Sequence, residues 1–155
     1  VTGVQTCALP IYDLVEQMKV VLASSFALYL KAHYFHWNVE GPMFPAYHAF
    51  FEKIYTDVYE SVDSTAEEIR SMGAYAPGSF VRYSDLSVVK DETNIPPALS
   101  MVTKLHEDNM KVIEELKKAQ ELAVKEKCDG LQNYLQERID IHFKHQWMLA
   151  ATLKA

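Results

Sequence analysis

From Asp13 onward the apolar residues Leu14, Val15, Met18, Val21, Leu22, Phe26, Leu28 and Tyr29 recur at intervals of three and four. That period lays one apolar stripe along a helix and predicts a helix reaching about Trp37. The segment Asn38 to Pro45, NVEGPMFP, interrupts the pattern with one Gly and two Pro. Pro45 suits a first helical turn, where its missing N–H costs nothing. A second helix follows from about Pro45 to Met72, with Tyr47, Phe50, Phe51, Ile54, Tyr55, Val58, Val62, Ala66 and Ile69 on its apolar face, and Gly73 ends it.

The connection Gly73 to Asn94 spans 22 residues, long for a compact domain unless the geometry requires it. Parallel second and third helices would require it, because a helix of such length runs for roughly 42 Å at about 1.5 Å per residue. Phe80 to Leu86 is expected to form a short helix on the way. A third long helix is predicted from Pro96 or Pro97, carrying Leu99, Val102, Leu105, Met110, Ile113, Leu116 and Leu122 and ending at Cys128-Asp129-Gly130. A fourth, from Leu131 or slightly earlier to about Leu153, carries Leu135, Ile139, Phe143, Trp147, Met148 and Leu153. Four long helices with one long crossover describe an all-α, ferritin-like four-helix bundle.

Residues 1–11, VTGVQTCALPI, carry neither a helical nor a strand period. They resemble the translation of a sequencing-adapter oligonucleotide; the other reading is a disordered N-terminal arm. The folded domain is therefore placed at residues 12–155. Charge narrows the function classes: 15 Lys and Arg against 21 Asp and Glu give a net charge of −6. Nucleic-acid affinity comes mainly from cations that displace counterions, so DNA binding through a bare surface is disfavoured. Lys31 and His33 close the longest apolar window, Val20 to Leu30, well short of a bilayer span. Cys7 and Cys128 lack a CxxC partner or metal-ligand spacing, which indicates no disulfide framework and no thiolate zinc site and fits a reducing cytoplasm.

Two pairs four residues apart stand on the second helix, His48 with Glu52 and Asp63 with Glu67, each on one helix face. His36 closes the first helix, so the hairpin brings it against His48 and Glu52. Two imidazoles and a carboxylate suit ferrous iron, zinc or manganese, and the lack of thiolate disfavours copper(I) or a cluster. Asp63 lies fifteen residues beyond His48 on a continuous helix, hence roughly 22 Å away at about 1.5 Å per residue. Either Asp63 and Glu67 are solvated, or a second subunit brings them to the site across a two-fold axis.

The residues His36-Trp37-Asn38, Gly41, Phe44, His48, Glu52, Asp63 and Ala66-Glu67 are similar to the signature of Dps, the DNA-protection-during-starvation branch of the ferritin superfamily. The resemblance covers Tyr12 to Ala155, including the long crossover and the run Lys144 to Leu149. It implies a hollow twelve-subunit shell that oxidises Fe(II), preferentially with hydrogen peroxide, and stores the ferric product as mineral. It further implies an intersubunit ferroxidase centre of His36, His48 and Glu52 from one chain with Asp63 and Glu67 from its two-fold mate. Position 52 departs from the many members that have Asp there, although Glu still supplies a carboxylate. At the three-fold pores the family's acidic residues near the start of the last helix correspond to Asp129, while Asn133 stands where the family is often acidic.

Trp37, beside His36, is expected either to pack the hairpin or to intercept a stray oxidising equivalent. His33 and the His142/His145 pair are read as structural or solvated, since no carboxylate completes a site with either. Glu67-Glu68 and Glu114-Glu115 with Lys117-Lys118 are read as solvated faces. Di-iron oxygenases on this bundle use Glu-x-x-His, a spacing the chain lacks. The remaining alternatives are a DNA-compacting shell with little iron chemistry and a plain helical interaction module. Mobility shifts at several salt concentrations separate the first: the charge predicts no retardation of DNA at physiological salt, and a steeply salt-dependent shift would contradict that.

Overall fold

The computed structural model describes residues 11–155. Apart from Ile11, the segment read as adapter sequence or arm lies outside the described residues. Five helices follow in order: α1 Tyr12–Asn38, α2 Phe44–Ser71, α3 Phe80–Leu86, α4 Ala98–Lys125 and α5 Asp129–Thr152. Each predicted helix is present, with ends within about two residues of those predicted except that α4 stops at Lys125, before the predicted end at Cys128-Asp129-Gly130. Among the described residues no helix is long and apolar enough to cross a membrane.

Side-chain pairs fix the directions of the long helices. Gln17 bonds Glu115 and Lys31 bonds Asp108, so numbers rise along α1 as they fall along α4. Asp57 bonds Arg138 and Thr65 meets Tyr134, which sets α2 antiparallel to α5 in the same way. With α1 and α2 joined by a hairpin, α2 and α4 run parallel, and the crossover must return along the bundle. It does so against α1. Phe26 packs on Tyr83 of α3 with ring centroids 4.8 Å apart, Val88 N–H donates to Ser24 Oγ at 3.1 Å, and Tyr34 Oη donates to Asn94 O at 2.8 Å.

The α1–α2 turn holds Gly41 at φ +116°, and α2 ends at Gly73 with φ +86°. Both are left-handed conformations that L side chains adopt at a cost. The core is built from the predicted stripes, with Leu14, Met18, Leu22, Leu28, Phe35, Phe51, Ile54, Ile69, Met101, Leu105, Ile113 and Leu116 almost fully buried. Burying each such side chain contributes roughly 1.5–3 kcal/mol. Leu99, Met110, Phe143 and Trp147, read from the period as stripe positions, are instead exposed on the single chain.

The interior also holds charge that the hydrophobic pattern did not signal. Lys31 Nζ donates to Asp108 Oδ2 at 2.6 Å, both side chains being buried. Glu115, expected on a solvated face, is buried and accepts from Gln17 and Lys118 at 2.7 Å each. Cys128 is buried at the start of α5 and is disulfide-bonded, which corrects the expectation of no disulfide at that residue.

Candidate metal centre

The α1–α2 hairpin brings His36, in the last turn of α1, against His48, in the first turns of α2. The two imidazoles stack with centroids 3.7 Å apart and planes 16° apart. Their backbone bonds are reciprocal: His36 Nδ1 is 2.7 Å from the carbonyl of His48, and His48 Nδ1 is 2.7 Å from the carbonyl of His36. A carbonyl only accepts, so each Nδ1 carries the proton and donates. Each ring is thereby fixed in the tautomer whose Nε2 bears a free lone pair, the arrangement that metal-binding histidines owe to a second-shell acceptor. The arrangement also satisfies two carbonyls at the hairpin, so one pair of contacts closes the turn and orients two ligands. His36 is buried and His48 half-buried.

Glu52 lies one turn beyond His48 on α2 and is exposed. Its charge reaches the cluster, because it acts to raise the pKa of His33. Burial and the neighbouring His36 outweigh it and hold His33 below its ordinary value of 6.5. Asp63 and Glu67 sit farther along α2, both exposed, at the axial separation expected of a continuous helix. A single chain thus unites His36 and His48, holds Glu52 one turn beyond His48 on α2 and leaves Asp63 and Glu67 apart. Among the described residues no three His, Cys, Asp or Glu side chains of one chain converge as a metal-binding group. Two imidazoles whose Nε2 atoms are left free, with a carboxylate one helical turn along α2, are donor types that suit a divalent first-row ion.

His33 is neither solvated nor a third partner in this stack. Its ring lies flat on Tyr55, with centroids 3.9 Å apart at 7°, and 4.0 Å from Trp37. Tyr29 Oη is 3.1 Å from its Nδ1. Trp37 stays 57% exposed, so it covers His33 from the solvent side rather than packing the interior of the hairpin.

A second polar cluster, deep between α2, α4 and α5, escaped sequence reasoning. Arg138 donates to both carboxylate oxygens of Asp57 at 3.0 Å, and His145 Nε2 lies 2.7 Å from Asp57 Oδ2. Arg138 also meets His142 Nε2 at 3.2 Å, while His142 Nδ1 is 2.7 Å from Asn109 Oδ1. Asn109 Nδ2 in turn donates to His142 O and Gln146 Oε1. The reading that no carboxylate serves the His142/His145 pair is corrected here, since Asp57 arrives from α2. Burial opposes ionisation of Asp57, but the hydrogen bonds from His145 and Arg138 outweigh it and hold the carboxyl well below its usual range. The nearby signal in sequence was the His142/His145 pair; Asp57 is eighty-one residues from Arg138.

Burial, then the charges of Arg138 and His145, push His142 well below 6.5. The folded chain keeps it neutral where the unfolded chain takes up a proton. Stability is therefore expected to fall as pH drops through 6.5. Urea midpoints at about pH 7.5 and about pH 5.5 check this: the wild type should lose more than His142→Gln between them, and equal losses would contradict it.

A family model described as a ferritin-like domain matches residues 15–155. The chain is 32% identical over 146 residues to the DNA protection during starvation protein of Brevibacillus brevis, covering 90% of this chain and 97% of that one. Among solved structures it resembles Dps from Staphylococcus aureus with a TM-score of 0.89 at 29% identity, covering 93% of this chain and 97% of that one. It also resembles the DPS protein from Vibrio cholerae O1, described as a member of a broad superfamily of ferritin-like diiron-carboxylate proteins, with a TM-score of 0.89 at 28% identity over 93% and 91% of the two chains.

Proposed function

Since the chain belongs to the Dps branch of the ferritin-like family, we propose that it is a cytoplasmic ferroxidase and iron-storage shell. It oxidises Fe(II), preferentially with hydrogen peroxide, deposits Fe(III) as mineral and so protects the cell from oxidative damage. The observation that carries this reading is the reciprocal His36–His48 bonding, which leaves the Nε2 of each of two stacked imidazoles free to bind. Fe(II) is the substrate. His36, His48 and Glu52 of one subunit hold it, with Asp63 of the partner subunit and Glu67 of the partner subunit completing the set. Two-fold symmetry then gives each pair of subunits two equivalent centres.

In this chemistry the imidazoles bind and the carboxylates offset the charge that develops as Fe(II) becomes Fe(III). Coordination positions left open by the side chains admit peroxide. Twelve subunits enclose the mineral, and Asp129, exposed at the first position of α5, lines the entry at the three-fold axis.

Anaerobic Fe(II) loading followed by peroxide tests the proposal. The account predicts two Fe(II) consumed per peroxide, faster than with dioxygen, and ferric product that travels with a large particle in size-exclusion chromatography with light scattering. A stable monomer, or iron oxidised no faster than in buffer, would contradict it.

A further inference from the structure

His36 and His48 are held to different degrees. Each ring is tied by one hydrogen bond to the other residue's carbonyl. That bond sets the tautomer and anchors Nδ1, but the last torsion of a histidine side chain is broad, so the plane of the ring has to be set by what lies against it. Buried His36 meets the rings of His33, Tyr55 and His48, with centroids 5.8, 5.1 and 3.7 Å away. Half-buried His48 meets His36 and, among the described residues, one further ring, that of Phe44, 4.9 Å away at 30°. Phe44 stands four residues before His48, hence on the same face of α2. It opens α2, stays 40% exposed and lies outside the buried core. Its backbone is nevertheless fixed. The Phe44 N–H donates to Gly41 O at 3.0 Å, and Pro45, next in the chain, has a locked φ. An aromatic ring on a rigid turn, set against one ligand and outside the core, is placed to support that ligand.

We propose that Phe44 is a positioning residue for the metal centre: its ring holds the plane of the His48 imidazole and thereby the direction of the Nε2 lone pair that takes the ion. The inference rests on the reading of His36 and His48 as ligands given above. Phe44 itself touches no metal and acts through His48. An imidazole lone pair lies in the plane of its ring, so a ring free to turn about its anchored Nδ1 binds weakly although the donor atom is present. What the position requires is a flat face, since near-parallel rings at this separation attract one another beyond the area they bury. Tyrosine supplies such a face, leucine supplies apolar volume without one, and alanine supplies neither.

The test titrates the assembled full chain anaerobically with Co(II) alone and follows the visible d–d absorption of the bound ion. Light scattering and circular dichroism check each variant against the wild type, and Phe44→Leu, which keeps the apolar volume, carries the comparison should Phe44→Ala disturb the turn. Phe44→Ala and Phe44→Leu should each weaken Co(II) binding about 10-fold, the lower end of the range for residues that orient a metal ligand. Phe44→Tyr should bind as the wild type does. In a His48→Ala background, itself weakened, Phe44→Leu should cause no further loss, because the ring it supports is gone. Wild-type affinity in Phe44→Leu overturns the positioning role, as does a Phe44→Tyr variant no better than Phe44→Leu, or a loss of equal size with and without His48. Wild-type Co(II) affinity in His48→Ala overturns the ligand assignment instead, so the two failures are distinguishable.

Discussion

Replacing His48 with alanine is expected to abolish peroxide-dependent Fe(II) oxidation at the centre while leaving the fold intact. The substitution removes one of the two free Nε2 atoms. It leaves the backbone carbonyl of residue 48, to which His36 Nδ1 donates, so the surviving ligand keeps its tautomer and direction. Changes to a second-shell partner alone typically cost about 10–100-fold in metal affinity, and deletion of a ligand should exceed that range. His48 is half-buried at the second turn of α2, where alanine is a strong helix former. Circular dichroism and thermal denaturation should therefore stay close to wild type while the oxidation trace flattens. Wild-type rates in His48→Ala would contradict the site.

The second large effect concerns stability. Lys31→Met is expected to destabilise the fold by about 3 kcal/mol, the lower end of the range for breaking a buried ion pair. Asp108, only 4% exposed, loses its 2.6 Å partner and keeps the outlying Lys111 at 3.2 Å, which limits the damage. That cost corresponds to a fall of about 6–12 °C in Tm for a chain of this length. The double variant Lys31→Met with Asp108→Leu removes the stranded carboxylate and should recover most of the loss, because apolar replacement of a whole buried pair is often neutral or stabilising. If the single variant melts with the wild type, the pair contributes nothing to the interior. If the double variant is no better than the single one, the cost lies in packing rather than in the orphaned charge.

Lys31 illustrates what sequence can and cannot convey. Read along the chain, it was a charge that interrupts an apolar window and excludes a bilayer span. Its actual role, an interior partner for Asp108 seventy-seven residues away, has no local signature. The same holds for Asp57 with Arg138 and for Glu115 with Gln17, contacts made only once antiparallel helices are laid together. Helix positions were legible because the 3.6-residue period is written locally. The crossover helix was legible because a connection between parallel helices must span the bundle. Exposed apolar positions such as Leu99, Phe143 and Trp147 obey the period but not the burial of a single chain, since periodicity reports a face and not what covers it.

The metal centre divides along the same line. The meeting of His36 with His48 was legible because a short hairpin fixes which residues face each other. The reciprocal Nδ1–carbonyl bonds were not, because they depend on ring orientation at the turn. Nor was the Tyr29–His33 pair, although both residues stand four apart on one helix face. Asp63 and Glu67 could be excluded from the same chain's centre by helix length alone, and the structure leaves them on the exposed side of α2.

The central claim, that each centre is shared by two subunits, is tested most directly by subunit complementation. His48→Ala and Asp63→Ala shells are each inactive on this account. Dissociated, mixed in equal amounts and reassembled, they should regain about a quarter of the wild-type centres, because half of the random two-fold pairs are mixed and each mixed pair holds one intact centre. No recovery from a well-mixed shell, or full activity in Asp63→Ala alone, would contradict a centre built from both chains.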